Sequence, residues 1–145
     1  MPFTGNYATN TYKNGLNTGT FDLGDSTTQV FKIALYTNAA SLDYATTGYT
    51  TDGEVTDAGY TAGGEVLTIS QVPTVGSSGT VSYYSFSNVS WSGAITARGA
   101  LIYKYDSSSN PAMIVLDFGS DKVSTTTFSV QFPAVTNTTA IVRIS

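Results

Sequence analysis

ITARGALIYKYDSSSNPAMIVLDF, residues 95–118, decides the fold class of this chain. Two runs rich in Ile, Leu, Val, Tyr and Met flank the cluster Asp106–Asn110, and Pro111 follows directly. Asp, Ser and Asn bend a chain by bonding their own backbone, and Pro cannot donate to a ladder. The stretch therefore predicts a strand, a hairpin loop and a second strand. Met113–Leu116 is apolar at every position. A strand with one wet face alternates, whereas an unbroken run needs cover on both faces, so this strand is expected to be central. Gly99 beside Arg98 leaves room for a bulge or a close backbone approach.

Outward from this hairpin the same signals recur. QVFKIALYT (Gln29–Thr37) places Phe31, Ile33 and Leu35 on one face and Lys32, Ala34 and Tyr36 on the other, the period of a strand. EVLTISQV (Glu65–Val72), TTFSVQFP (Thr126–Pro133) and TAIVRIS (Thr139–Ser145) read likewise. In TVSYYSFSNVSW (Thr80–Trp91) the apolar phase slips twice, which predicts bulges or a bend. The sum is about seven strands and little helical periodicity, an all-β chain built as an antiparallel β-sandwich or a jelly-roll-like barrel over residues 29–145. One short helical turn is expected within Asn38–Thr50, with Ser41 as its cap. Residues 1–28 carry Phe3, Tyr7, Tyr12, Leu16, Phe21 and Leu23 without a period. They are expected to form an extended N-terminal arm, held by a neighbouring subunit or laid along its own domain.

Composition narrows the chemistry. The 145 residues suit a single domain with a real core. No Cys and no His occur, which removes disulfides, thiol chemistry, imidazole ligands and every His-based nucleophile pair. Charged residues make up 11% of the chain, against about 25% in ordinary soluble domains. The polar surface must then be built from Ser, Thr, Asn, Gly and Tyr. These can be covered by a neighbour at modest cost when they find hydrogen bonds, whereas charges cannot. The net charge is −4 and no Lys/Arg cluster exists, so direct nucleic-acid binding is not expected. No apolar run is long enough for a spanning helix, and MPFTGNYATN has neither the basic nor the apolar region of a signal peptide.

The densest polar stretch is YTTDGEVTDAGYTAGG, Tyr49–Gly64, with Asp52, Glu54 and Asp57 close together. Counted from Asp52 as a calcium loop, the required Gly and the closing Glu are both missing, so a solvated loop with Gly-based turns is favoured over a cation site. No cofactor or metal is called for. Asp117, at the end of MIVLDF, is a candidate catalytic carboxylate, with pairing to Arg98 or Lys122 the preferred role. DFG at Asp117–Gly119 lacks every companion kinase motif. The side chains expected to meet neighbouring chains are Phe3, Tyr7 and Tyr12 of the arm, Tyr49, Asp52, Glu54, Asp57 and Tyr60 of the acidic loop, and Arg98.

FKIALYTNAASLDYATTGYTTDGEVTDAGYTAGGEVLT, followed by VSWSGAITARGALIYKYDSSSNPAMIVLDFGSDKVSTTTFSVQFP, resembles small structural proteins of tailed-bacteriophage virions. The resemblance covers about residues 29–144 and rests most on FKIALY, GYTAGG, ITARGALIY and LDFG. It implies a non-enzymatic virion component, with a capsid decoration or cement protein fitting the size and a tail, neck or fibre-base subunit the alternative. Its partners would be the major capsid protein or other virion proteins and sister subunits in a homo-oligomer. It carries over no catalytic or metal residues. A carbohydrate-binding β-sandwich module using exposed Tyr or Trp91 is a further alternative, read from the aromatic content.

Overall fold

The computed structural model describes residues 3–24, 27–77 and 79–145. Its centre is the hairpin read first: β7 (Thr96–Tyr105) and β8 (Ala112–Val123), antiparallel, with a shift of register at Arg98. Asp106 shapes the connecting loop. Its Oδ1 accepts the backbone N–H groups of Ser108, Ser109 and Asn110, and Asn110 takes the left-handed conformation at φ 44°. Those bonds favour the ionised carboxylate and hold its pKa well below the usual range.

Around the hairpin lie β1 (Tyr7–Ala8), β2 (Val30–Tyr36) and β3 (Glu65–Leu67), in the order β1-β8-β7-β2-β3. A second sheet has the order β10-β5-β4, from β4 (Ile69–Val75), β5 (Ser82–Phe86) and β10 (Val142–Ile144). A third pairs β6 (Val89–Ser92) with β9 (Thr127–Val130). Every strand pairing is antiparallel.

The described residues thus form ten strands rather than seven. EVLTISQV divides at Thr68, so that β3 joins the five-stranded sheet and β4 the three-stranded one. TVSYYSFSNVSW divides at Ser87–Asn88 between the sheets of β5 and β6. In Thr80–Trp91 the second slip, from Phe86 to Val89, comes where the chain changes sheet and a new sheet presents its opposite face to the core; the first, at Tyr83–Tyr84, lies within β5, opposite a shift of register in β4. β1 is the tenth strand.

The runs around β7 and β8 are apolar throughout because the five-stranded sheet is covered twice. On one face Phe31, Ile33 and Leu35 pack with Tyr84, Phe86, Trp91 and Phe128 from the two smaller sheets. On the other, Ala34, Tyr36, Leu101, Tyr103 and Val115 are covered by Phe3, Ala40 and Leu42. Fully burying one such aliphatic or aromatic side chain stabilises by roughly 1.5–3 kcal/mol. β8 itself is next to the sheet edge, flanked outside only by the two residues of β1.

Two expectations are corrected. The N-terminal segment is not an extended arm. After β1 it forms helix α1 (Asn10–Thr18), capped by Thr9, whose Oγ1 accepts Tyr12 N–H at 3.1 Å, and closed by Gly19 at φ 75°. Tyr12, Phe21 and Leu23 enter the chain's own core, and the Tyr12 and Tyr84 hydroxyls meet at 2.7 Å. Met1, Pro2, Asp25 and Ser26 of the expected arm lie outside the described residues. The helical turn expected in Asn38–Thr50 does not form; that segment is a run of turns and bends, tied by a bridge from Gly48 to Pro111.

The long hairpin also turns a corner. β6 runs into β7, and β8 into β9, with cross-strand bonds continuing through the join. Gly93 N–H donates to Thr126 O at 2.8 Å and Ser124 N–H to Ile95 O at 2.9 Å. Ser124 Oγ donates to Gly93 O and accepts from Ile95 N–H.

Candidate functional site

Tyr49–Gly64 passes the edge of β2 beyond the end of β3, where Val55 N–H donates to Leu35 O, and its three acids part company. Glu54 forms a bridge with Tyr36 of β2 and is 7% exposed. Its carboxylate accepts the Tyr49 hydroxyl at 2.7 Å on Oε2, and the Tyr60 hydroxyl at 2.6 Å and Gly63 N–H at 2.7 Å on Oε1. Around these bonds lies a second set. Leu35 N–H donates to the Tyr60 hydroxyl, Tyr103 donates to Gly63 O, and Tyr36 donates to Thr50 O. The Tyr49 and Tyr103 rings stack at 4.9 Å. Glu54 thus ties both ends of its own loop to β2 and β7.

Asp57 looks elsewhere: its Oδ2 accepts Thr96 N–H at 2.8 Å and caps the start of β7 beside the corner. Asp52 is exposed. Among the described residues, no three acidic side chains come together in a way that could hold a metal ion.

Burial and the neighbouring carboxylate act together on the tyrosines. Loss of water raises the pKa of Tyr60 and of Tyr49 above 10, and donation to Glu54 raises it further. Tyr36 is raised by burial first and by the charge of Glu54 second. Tyr103 is pushed up to about 12, again by burial and then Glu54. Tyr49 and Tyr60 are neutral donors holding a carboxylate, and Tyr36 and Tyr103 donate to backbone carbonyls beside it, the reverse of a site that would activate a phenolate.

The other sequence candidates are placed as follows. Asp117 pairs with Arg98 at 3.1 Å, the intramolecular pair preferred from sequence, and also accepts Gly119 N–H. Phe3 and Tyr12 are buried, and Tyr7 is half-buried against the ring of Tyr44. Phe3, Tyr12 and Glu54, proposed from sequence as contacts to neighbours, are therefore committed inside the chain. Trp91 is 3% exposed, so it offers no stacking platform for a sugar.

Sequence reasoning missed the pairing of Glu54 with the tyrosines, although the alternation of Tyr49, Glu54 and Tyr60 was visible. It also missed the apolar notches between elements. One of about 440 Å³ lies between β8 and β9, where Phe118 and Phe128 approach to 6.2 Å. Another, of about 380 Å³, lies between α1 and the three-stranded sheet, over Tyr12 and Tyr84. No helix among the described residues is long and apolar enough to cross a membrane. Comparison with family models, curated proteins and solved structures finds no match.

Proposed function

We propose that the chain is a non-enzymatic structural protein of a tailed-bacteriophage virion, seated on the capsid shell as a decoration protein that stabilises it. The observation that carries this reading is how the carboxylates are used. Glu54, Asp57, Asp106 and Asp117 each hold backbone, phenol or Arg98 partners within the scaffold. These four carboxylates are thereby spent on shape, while Asp52, Glu65 and Asp121 stand exposed on the surface. What remains outside is a surface of hydroxyls, amides and strand edges, suited to being covered by neighbours at modest desolvation cost. We read the layering as a β-sandwich, the five-stranded sheet against the two smaller ones. The sequence resemblance supplies the virion.

A decoration protein acts by linkage. It binds the finished shell better than the looser precursor, and the differential affinity, repeated over many copies, stabilises the finished form. The test is the copy number of this chain in purified virions. Decoration requires on the order of hundreds of copies, set by shell symmetry, and a neck, tail or fibre-base subunit about a dozen or fewer. A low count moves the chain to the tail, and its absence from virions removes the reading.

A further inference from the structure

The ladder between β6 and β9 has a parity. Gly93 and Thr126 form a hydrogen-bonded pair, and antiparallel pairs alternate between bonded and non-bonded. Trp91 with Phe128 and Val89 with Val130 are then bonded pairs, and the backbone groups of Thr127 and Ser129 point away from β6. The Ser90 and Ser129 hydroxyls meet at 2.9 Å, as expected for a non-bonded pair, whose side chains approach most closely. Phe132 N–H turns inward to Asn88 Oδ1, which leaves Gln131 facing out with Thr127 and Ser129. Among the described residues no strand lies on that side of β9.

The notch of about 440 Å³ runs beside this edge. Every residue from Thr127 to Gln131 lines it, opposite Phe118, Lys122 and Val123 of β8. A groove on a sheet face touches alternate residues; contact with consecutive ones means that the notch follows the strand edge.

Sheets guard their edges with charge, Pro, bulges or very short strands. β4 carries Pro73 and two shifts of register. β3 and β10 are three residues long and carry Glu65 and Arg143. Beyond β1, Asn6 meets the edge of β8 at Asp117, whose N–H its Oδ1 accepts, and the rest of β8 carries the charges of Asp121 and Lys122. β6 and β9 each have no charge, no Pro and no shift of register; of the two, β9 opens onto the notch.

We propose that the outer edge of β9 is a docking site for an extended acidic segment of another protein, added as a strand. Its main chain would bond Thr127, Ser129 and Gln131, its apolar side chains would enter the notch over Phe118 and Val123, and a carboxylate would meet Lys122. Among the described residues Lys122, whose ammonium also donates to Ser120 Oγ, is the one ionisable residue lining the notch, which favours an acidic segment over a basic one. Pairing of β9 with the β9 of a second copy is disfavoured, because β9 has no carboxylate to offer Lys122, and the edge strand that carries one, β3 with Glu65, is only three residues long. The inference concerns edge chemistry and stands whatever assembly the chain belongs to.

The experiment is amide hydrogen exchange on the full chain with synthetic eight-residue peptides of alternating Val and Thr. One peptide carries a central Glu, one a Lys in its place, and one the Glu with alternate amides N-methylated so that they cannot pair. The Glu peptide, at about millimolar concentration, should slow exchange at Thr127, Ser129 and Gln131 by about tenfold. The Lys peptide should bind several-fold more weakly, and the N-methylated one should protect nothing. Lys122→Gln should erase the preference for Glu over Lys while leaving the unfolding midpoint unchanged. No protection of these amides by any peptide would overturn the site. Equal binding of Glu and Lys peptides would overturn the acidic partner. Protection that grows with protein concentration alone would replace the partner by a second copy.

Discussion

Replacing Glu54 by Ala removes one acceptor from three donors, the Tyr49 and Tyr60 hydroxyls and Gly63 N–H. A hydrogen bond to a charged group contributes about 1.5–3 kcal/mol, and a buried donor left without a partner costs about 1–3 kcal/mol. The three bonds are not equivalent. Tyr49 is half-buried and its hydroxyl can turn to water, whereas the bond from Gly63 N–H is buried. The expected loss for Glu54→Ala is therefore about 3–5 kcal/mol, less than the sum of three separate bonds because the donors share one carboxylate. Against a total stability of about 5–15 kcal/mol, that is a large fraction. Glu54→Gln keeps an oxygen for Tyr60 and Gly63 but presents an NH₂ group to Tyr49, so about 1–2 kcal/mol should be lost. Denaturant unfolding followed by the fluorescence of Trp91 reads these values, since its ring lies 6.1 Å from that of Tyr60. The decisive arm is a double-mutant cycle. Tyr49→Phe should cost about 1 kcal/mol in the natural chain and almost nothing in Glu54→Ala, where the hydroxyl has already lost its acceptor. Equal costs in both backgrounds, or a loss below about 1 kcal/mol for Glu54→Ala, would refute the role given to the carboxylate.

Alkaline titration should separate the tyrosines. Tyr12, Tyr36, Tyr49, Tyr60, Tyr84 and Tyr103 all have raised pKa values in the folded chain, burial being the first cause in each. A raised pKa means that the stabilisation is complete below the unfolded value, about 10, and is lost as pH climbs toward the folded values. Tyrosinate absorbance and loss of structure should rise together above pH of about 11, and ionisation of these six in a chain that stays folded there would contradict the burial. Asp106 has the opposite sign: its contribution is present above the unfolded pKa, about 3.9, and fades as pH falls below it. Asp106→Ala should thus flatten the acid limb of the stability–pH curve, and an unchanged limb would count against the loop bonds. Gly64→Ala should cost more than about 3 kcal/mol, because its φ is 72° and a Cβ there would fall on the Ile33 carbonyl oxygen. Gly19→Ala, at φ 75° with open space around it, should cost only about 1–2 kcal/mol, and similar losses at both positions would show that backbone strain alone decides.

The central hairpin was legible because two physical signals agreed. Apolar runs on both sides of Asp106–Asn110 demanded buried strands, and the loop residues demanded a turn, as the Asp106 bonds now show. Helix α1 was illegible for the opposite reason. NTYKNGLNT is rich in residues that prefer other conformations, and it buries only Tyr12 and Gly15. Its stability comes from tertiary contact, chiefly the Tyr12 hydroxyl on Tyr84 and the ring of Phe21, partners that are distant or irregularly placed in sequence. The phase slips in Thr80–Trp91 predict bulges or a bend, and one does face the shift of register in β4, but periodicity within one segment cannot tell a bulge from a change of sheet. That depends on which strands arrive on either side, here β10 and β4 for β5 and β9 for β6.

The acidic loop shows why spacing alone misleads about carboxylates. Asp52, Glu54 and Asp57 are close in sequence, yet the turn around Gly53, at φ 76°, leaves Asp52 outside while Glu54 enters the bridge with Tyr36. The chain then advances along the sheet, so that Asp57 reaches the corner at Thr96. A cation site would need their oxygens to converge, and an acid–base site would need one carboxylate left without committed donors. Their oxygens do not converge, and Glu54 is committed while Asp52 stays exposed, because the edge of β2 beside the loop has its own unmet needs. Leu35 N–H requires an acceptor and finds the Tyr60 hydroxyl, which in turn requires Glu54. Once a buried backbone group sets such a chain of partners, the carboxylate at its end is fixed by folding rather than by any ligand. Function is then to be sought where the backbone remains unpaired, at the outer edge of β9 beside Lys122.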